Sequence, residues 1–119
     1  MNDISGTIHN KGNKVPVALV DIDETICFYN GDRIYEKAIP NTTNINKINR
    51  LHDSGWKVIY WTSRGSARPN DAARFYYIAN LTKKQLKEWG AKHSELILGD
   101  SKPLFDLVVD DKAKRIEEL

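Results

Sequence analysis

Hydrophobic positions fall along the chain in short blocks of two periodicities. Val15 to Val20 is rich in Val and Leu with no polar alternation, which predicts a strand covered on both faces, as in parallel sheets. The segment "CFYNGDRIYEKAIP" sets Asn30-Gly31 between aromatic and β-branched residues and predicts a small hairpin or flap. Asn41, Thr42 and Thr43 are candidate caps for a helix with Ile45, Ile48 and Leu51 at three-residue spacing, ended by Gly55. "KVIYWT" reads as a second strand. "SRGSARPNDAARFYYIAN" begins as a loop and turns helical near Asp71, and Thr82 is a candidate cap for a separate short helix, "KKQLKEW", stopped by Gly90. "ELIL" and "DLVVDD" predict two further strands, and "KAKRIEEL" a terminal helix.

Strands alternating with helices predict an α/β fold with a parallel, doubly wound sheet. Ligands of such sheets sit outside the carboxyl ends of the strands. That edge would gather Asp21, Asp23 and Thr25 after the first strand, Thr62-Ser63-Arg64 after the second, and Asp110-Asp111 after the last.

Composition narrows the class. A chain of 119 residues has material for one core, and 40% hydrophobic with 29% charged residues is the make-up of a globular protein. Residues 1–14 read as a flexible polar leader and 15–119 as a single domain. No apolar run is long enough for a membrane span, so no membrane partner is expected. The net charge of +2 gives no argument for nucleic acid. One cysteine, Cys27, excludes an internal disulfide and a paired-cysteine metal site, and fits a cytoplasmic location.

The first strand ends in Asp21, Asp23 and Glu24, and the last in Asp110 and Asp111. Carboxylates converging on one edge repel one another, and hard oxygen ligands suit Mg²⁺ as the balancing cation. Asp21 and Asp110 are the natural ligating pair, and Lys102 in "GDSKP" the natural fixed cation beside them. Carboxylate, Mg²⁺, lysine and hydroxyl together form a set that binds phosphoryl groups.

Asp21-Ile22-Asp23-Glu24-Thr25 resembles the DxDxT signature of the haloacid dehalogenase superfamily of phosphohydrolases. Thr62 resembles its second motif, Lys102 its third and Asp110-Asp111 its acidic fourth, in the family's order over about residues 15 to 116. The stretch "LTKKQLKEWGAKHSELILGDSKPLFDLVVDDKA" further resembles small phosphatase-like members associated with bacterial surface-polysaccharide pathways. The resemblance implies a Rossmann-like core and a Mg²⁺-dependent phosphatase acting through an aspartyl-phosphate. Asp21 would be the nucleophile. Asp23 would protonate the leaving oxygen and then accept a proton from water, its protonation favoured by the neighbouring Asp21 charge. Mg²⁺ would be held by Asp21, the backbone carbonyl of Asp23 and Asp110, with Asp111 ligating through water or orienting Lys102. Thr62 and Lys102 would hold the transferring phosphoryl, with Ser63 and Arg64 among the substrate-binding residues, and Thr25 would brace the loop. Glu24 stands where many relatives carry glycine.

Neither the segment between Thr25 and the first helix nor that after Thr62 is long enough for a cap domain. The expectation is therefore a short flap and no cap. Either neighbouring subunits of a homo-oligomer complete a pocket for a small phosphorylated substrate, or an open site receives a large one. A sugar or metabolite phosphate is the favoured substrate and a phosphorylated nucleic-acid end the alternative. A phospho-accepting receiver domain shares the size and chemistry, but its motif order differs. Arg64, Arg68 and Arg74 read, on balance, as a solvated loop, with an anion-binding patch as the other reading. Cys27 reads as a packing residue, and the tryptophans as core or interface.

Overall fold

The computed structural model describes residues 15–66, 70–99 and 107–109. The order is β1 (Val17–Asp21), β2 (Cys27–Phe28), a 3-10 turn (Tyr35–Lys37), β3 (Ile39–Pro40), α1 (Thr42–Asp53), β4 (Lys57–Thr62), α2 (Ala72–Glu88), β5 (Glu95–Leu98) and β6 (Leu107–Val109). Among the described residues, four strands form a parallel sheet in the order β5-β4-β1-β6, flanked by helices. This is the open, Rossmann-like doubly wound arrangement expected from the alternating pattern.

β1 lies inside the sheet, between β4 and β6. Ala18, Leu19 and Val20 are all buried, which is why its sequence shows no alternation. Ala18 and Val20 join Ile22, Ile26, Val58, Tyr60 and Val109 in one core cluster, together with Ile45, Ile48 and Leu51 from α1 and Leu86 from α2. The strand register brings the ends of three strands level at one edge. Asp21 lies opposite Trp61, one residue before Thr62, and Val20 lies opposite Val109.

α1 begins as its sequence suggests, with the Asn41 side chain accepting from the Asn44 amide at 3.1 Å. Asn44 is itself buried, and its Nδ2 donates to the Thr25 carbonyl at 2.9 Å. The first turn of α1 is thereby tied to the loop that follows β1.

One expectation needs correction. The chain does not break at Thr82: α2 runs unbroken from Ala72 to Glu88, capped by Asp71, whose side chain accepts from the Arg74 amide. The Thr82 hydroxyl bonds back to the Ile78 carbonyl at 2.8 Å, the behaviour of a threonine inside a helix rather than at its start. The expected short flap hairpin is present, closed by an antiparallel pair of strands. β2 and β3 pair over two residues each, and the segment between them is a wide loop carrying the 3-10 turn. Side chains of α2 hold this loop: Gln85 Nε2 donates to the Tyr35 carbonyl at 2.6 Å, and the Tyr77 hydroxyl to Glu36 at 2.6 Å.

No helix among the described residues is long and apolar enough to cross a membrane. The polar leader, the terminal helix, Arg68, Lys102, Asp110 and Asp111 lie outside the described residues.

Replacing Asn44 with Ala strands the buried Thr25 carbonyl. It is expected to lower stability by about 1–3 kcal/mol in urea unfolding, and an unchanged midpoint would mean that α1 does not brace the loop.

Candidate active site at the carboxyl edge of the sheet

The chain leaves β1 at Asp21 and turns sharply. Thr25 and Ile26 amides both donate to the Ile22 carbonyl, at 3.1 and 2.9 Å, and the Glu24 amide donates to the Cys27 carbonyl at 3.0 Å. To close this turn Glu24 takes φ +65°, the left-handed region in which a side chain is strained. A glycine would take this conformation without strain.

Asp21 is half-buried at the strand end, and one of its carboxylate oxygens accepts from the Ile22 amide at 2.8 Å. On the neighbouring strand Thr62 is buried. Its hydroxyl accepts from the Arg64 amide at 3.2 Å, and its carbonyl from the Gly99 amide at 3.0 Å. Ser63 is exposed beside it. Thr25 is buried, and its hydroxyl has no hydrogen bond among the described residues. It braces the loop through its backbone.

Asp23 sits 8% exposed and Arg64 1% exposed, facing one another. Arg64 Nη2 meets Asp23 Oδ1 at 2.7 Å, while Nε reaches Oδ1 at 3.2 Å and Oδ2 at 3.0 Å. Tyr29 donates its hydroxyl to the same Oδ1 at 2.5 Å and accepts from Arg64 Nη2 at 3.2 Å. On the far side Arg64 Nη1 donates to Gln85 Oε1 at 2.6 Å and Thr82 Oγ1 at 3.1 Å, and the guanidinium stands 4.8 Å from the Tyr35 ring centre. The solvated-loop reading of Arg64 therefore does not hold: its side chain is fully enclosed. Arg74 of the same expected cluster is exposed on α2.

This enclosure sets the ionisation of Asp23. Burial pushes its carboxyl up, but the Arg64 hydrogen bonds and charge, with Tyr29 and Cys27, outweigh burial and hold it below the usual carboxylate range. The net shift is thus opposite to the rise expected from Asp21, with Arg64 the main cause of the lowering. Burial works against the charge of Arg64 as well, and Asp23 more than restores it. The Tyr29 hydroxyl is raised by burial and then by Asp23. Burial and Asp23 push the Cys27 thiol up to about 12, in keeping with a packing role.

Among the described residues no three carboxylate, histidine or cysteine side chains gather as a ready metal site. Asp21 offers a hard oxygen donor, as Mg²⁺ requires. The Asp23 carboxylate does not, because both its oxygens are engaged by Arg64. Asp23 fits such a site only through its backbone carbonyl. Within the flap, a half-open cavity of about 370 Å³ is lined by Tyr29, Asn30, Asp32, Ile34, Lys37 and Ile39.

No family model and no curated protein matches the chain. Solved structures do. A structural-genomics target from Vibrio cholerae superposes with a TM-score of 0.67 at 21% identity, over 87% of this chain and 86% of that one. D,D-heptose 1.7-bisphosphate phosphatase from B. bronchiseptica, complexed with magnesium and phosphate, gives a TM-score of 0.50 at 20% identity, over 83% of this chain. This chain spans about half of that phosphatase, 54% of its length. At such identities the likeness shows a common fold.

Glu24→Gly relieves a left-handed side chain worth roughly 1–2 kcal/mol, against a chain-entropy cost of roughly 0.5–1 kcal/mol. A net rise in the urea midpoint is expected. A clear fall would mean that the half-exposed Glu24–Arg33 pair, 3.5 Å apart, holds the turn instead.

Proposed function

We propose that this chain is a Mg²⁺-dependent phosphatase of the haloacid dehalogenase type, hydrolysing a small sugar or metabolite phosphate through an aspartyl-phosphate on Asp21. The observation that carries the reading is the meeting of the DxDxT turn and Thr62 at one edge of a parallel sheet, with Asp21 in register one residue before Thr62. β6 supports it from the other side, reaching Val109 opposite Val20, and the reading needs Asp110 and Asp111 to continue from there. The fold shared with a phosphatase that binds magnesium and phosphate supports it further.

In the reaction, a carboxylate oxygen of Asp21 attacks phosphorus as the bond to the leaving oxygen breaks. Asp23 supplies a proton to that oxygen from its protonated form, the minority state beside Arg64. Water then attacks the phosphorus of the acyl phosphate, Asp23 takes its proton, and Asp21 is released with inorganic phosphate. The carboxylate form of Asp23 held by Arg64 is the one this second step uses. Thr62 and Lys102 orient the phosphoryl oxygens. Asp21, the Asp23 carbonyl and Asp110 would hold Mg²⁺, with Asp111 as a further ligand or as a partner of Lys102. When bound, the cation offsets the negative charge of the phosphoryl group and the carboxylates. The cavity beside Tyr29, with Lys37 and Asp32 at its wall, suits the polar leaving portion of a small substrate better than a macromolecular end.

Phosphate release from a panel of sugar phosphates, nucleotides and 5′- and 3′-phosphorylated DNA tests the reading. Mg²⁺-dependent release from the sugar phosphates, abolished by EDTA, is expected. Release from DNA ends alone would reverse the substrate assignment, and equal rates in EDTA would remove the metal. Asp21→Asn is expected to lower turnover by about 10⁴-fold or more with its unfolding midpoint retained, and full activity would remove Asp21 as nucleophile.

A further inference from the structure

We infer that Arg64 is a positioning residue: it acts on the reaction through Asp23, fixing that carboxylate between the flap and α2, and does not itself hold substrate. The inference rests on the proposed activity and assigns Arg64 a role different from the substrate-binding one its place after Thr62 suggests.

A guanidinium has N–H groups on Nε, Nη1 and Nη2 and no acceptor. In this chain Nε is spent on the Asp23 carboxylate, Nη1 on Thr82 and Gln85, and Nη2 on Asp23 and Tyr29. Each of the three nitrogens has a protein acceptor, and the side chain has no exposed surface. A phosphate oxygen could gain a bond from Arg64 only by displacing a buried, charge-assisted one.

The partners on the far side are as specific as Asp23. Ile78, Thr82, Gln85 and Leu86 are the buried residues of α2, so two polar side chains sit in what is otherwise the apolar stripe of that helix. Both turn their oxygens to Nη1, and Gln85 passes the connection on by donating to the Tyr35 carbonyl of the flap. Thr82, Gln85 and the Tyr35 ring thus set where the guanidinium lies, and the guanidinium sets where the Asp23 carboxylate lies. A proton-transfer group misplaced by a fraction of an ångström loses much of its effect, so this fixing has a catalytic consequence.

Arg64→Lys keeps the charge but cannot span Asp23 and Gln85 together. On the substrate the panel identifies, it is expected to lower kcat by about 10²-fold, leaving inhibition by inorganic phosphate unchanged. In an Asp23→Asn background the same replacement is expected to cause no further loss, because the group it positions is gone. Weakened phosphate inhibition would make Arg64 a substrate anchor and overturn the inference. An unchanged kcat, or a full further loss in the Asp23→Asn background, would overturn it equally. Should Arg64→Lys not fold, Gln85→Met, which loses contact with Arg64 and leaves Asp23 its own bonds, carries the test. A fall in kcat of about 10-fold with phosphate inhibition unchanged is expected, and no fall overturns the inference. A parent chain that releases no phosphate from any ester defeats the proposed activity, and this role with it. A parent that is active beside variants that behave otherwise than expected defeats the role alone.

Discussion

The buried ion pair between Asp23 and Arg64 is the constraint on which the arrangement of this edge depends. Removing two charges from water costs several kcal/mol for each, and mutual attraction offsets that only when the remaining donors and acceptors are satisfied. Here they are satisfied by groups from four separate parts of the chain. The turn after β1 supplies Asp23, the turn after β4 supplies Arg64, the flap supplies Tyr29 and the Tyr35 ring, and α2 supplies Thr82 and Gln85. None of these contacts belongs to a backbone ladder. The flap is held by this cluster as well as by its two short strands.

The pair also separates the surroundings of the first two aspartates. Asp21 ends a strand inside the sheet, half-buried, with a carboxylate oriented by the next backbone amide. Asp23 sits two residues on, turned inward and bound to a cation that the protein itself provides. Two carboxylates so close in sequence thus occupy different surroundings, the kind of difference that the proposed division between nucleophile and proton-transfer group requires. The left-handed Glu24 beside them is what lets the chain reverse quickly enough to do this.

Much of this arrangement is legible in the residues. The uninterrupted apolar run of β1 announces a doubly covered parallel strand, and the spacing of Ile45, Ile48 and Leu51 announces α1, because burial sets both patterns directly. The position of Thr62 follows from the end of "VIYWT". The continuity of α2 does not follow, since a threonine that caps and a threonine that bonds back to a helix carbonyl are the same letter. Arg64 is misleading for a related reason: an arginine in a Gly- and Ser-rich stretch reads as solvated unless a buried partner is known. A signal is present in Thr82 and Gln85, polar residues at helical spacing between the apolar Ile78 and Leu86. Polar side chains on a buried stripe require a polar partner, and the turn after β4 holds one. Lys102, Asp110 and Asp111 lie outside the described residues, so their part of the site rests on motif order and on the approach of β6 to β1.

Chemical trapping of the phosphorylated chain bears most directly on the role of Asp21. The protein would be mixed with a turning-over phosphate ester or acetyl phosphate and Mg²⁺, quenched, reduced with borohydride and mapped by peptide mass spectrometry. Nucleophilic attack by Asp21 predicts its conversion to homoserine, dependent on the phosphoryl donor. Reduction at another carboxylate, or none while phosphate is being released, would contradict it.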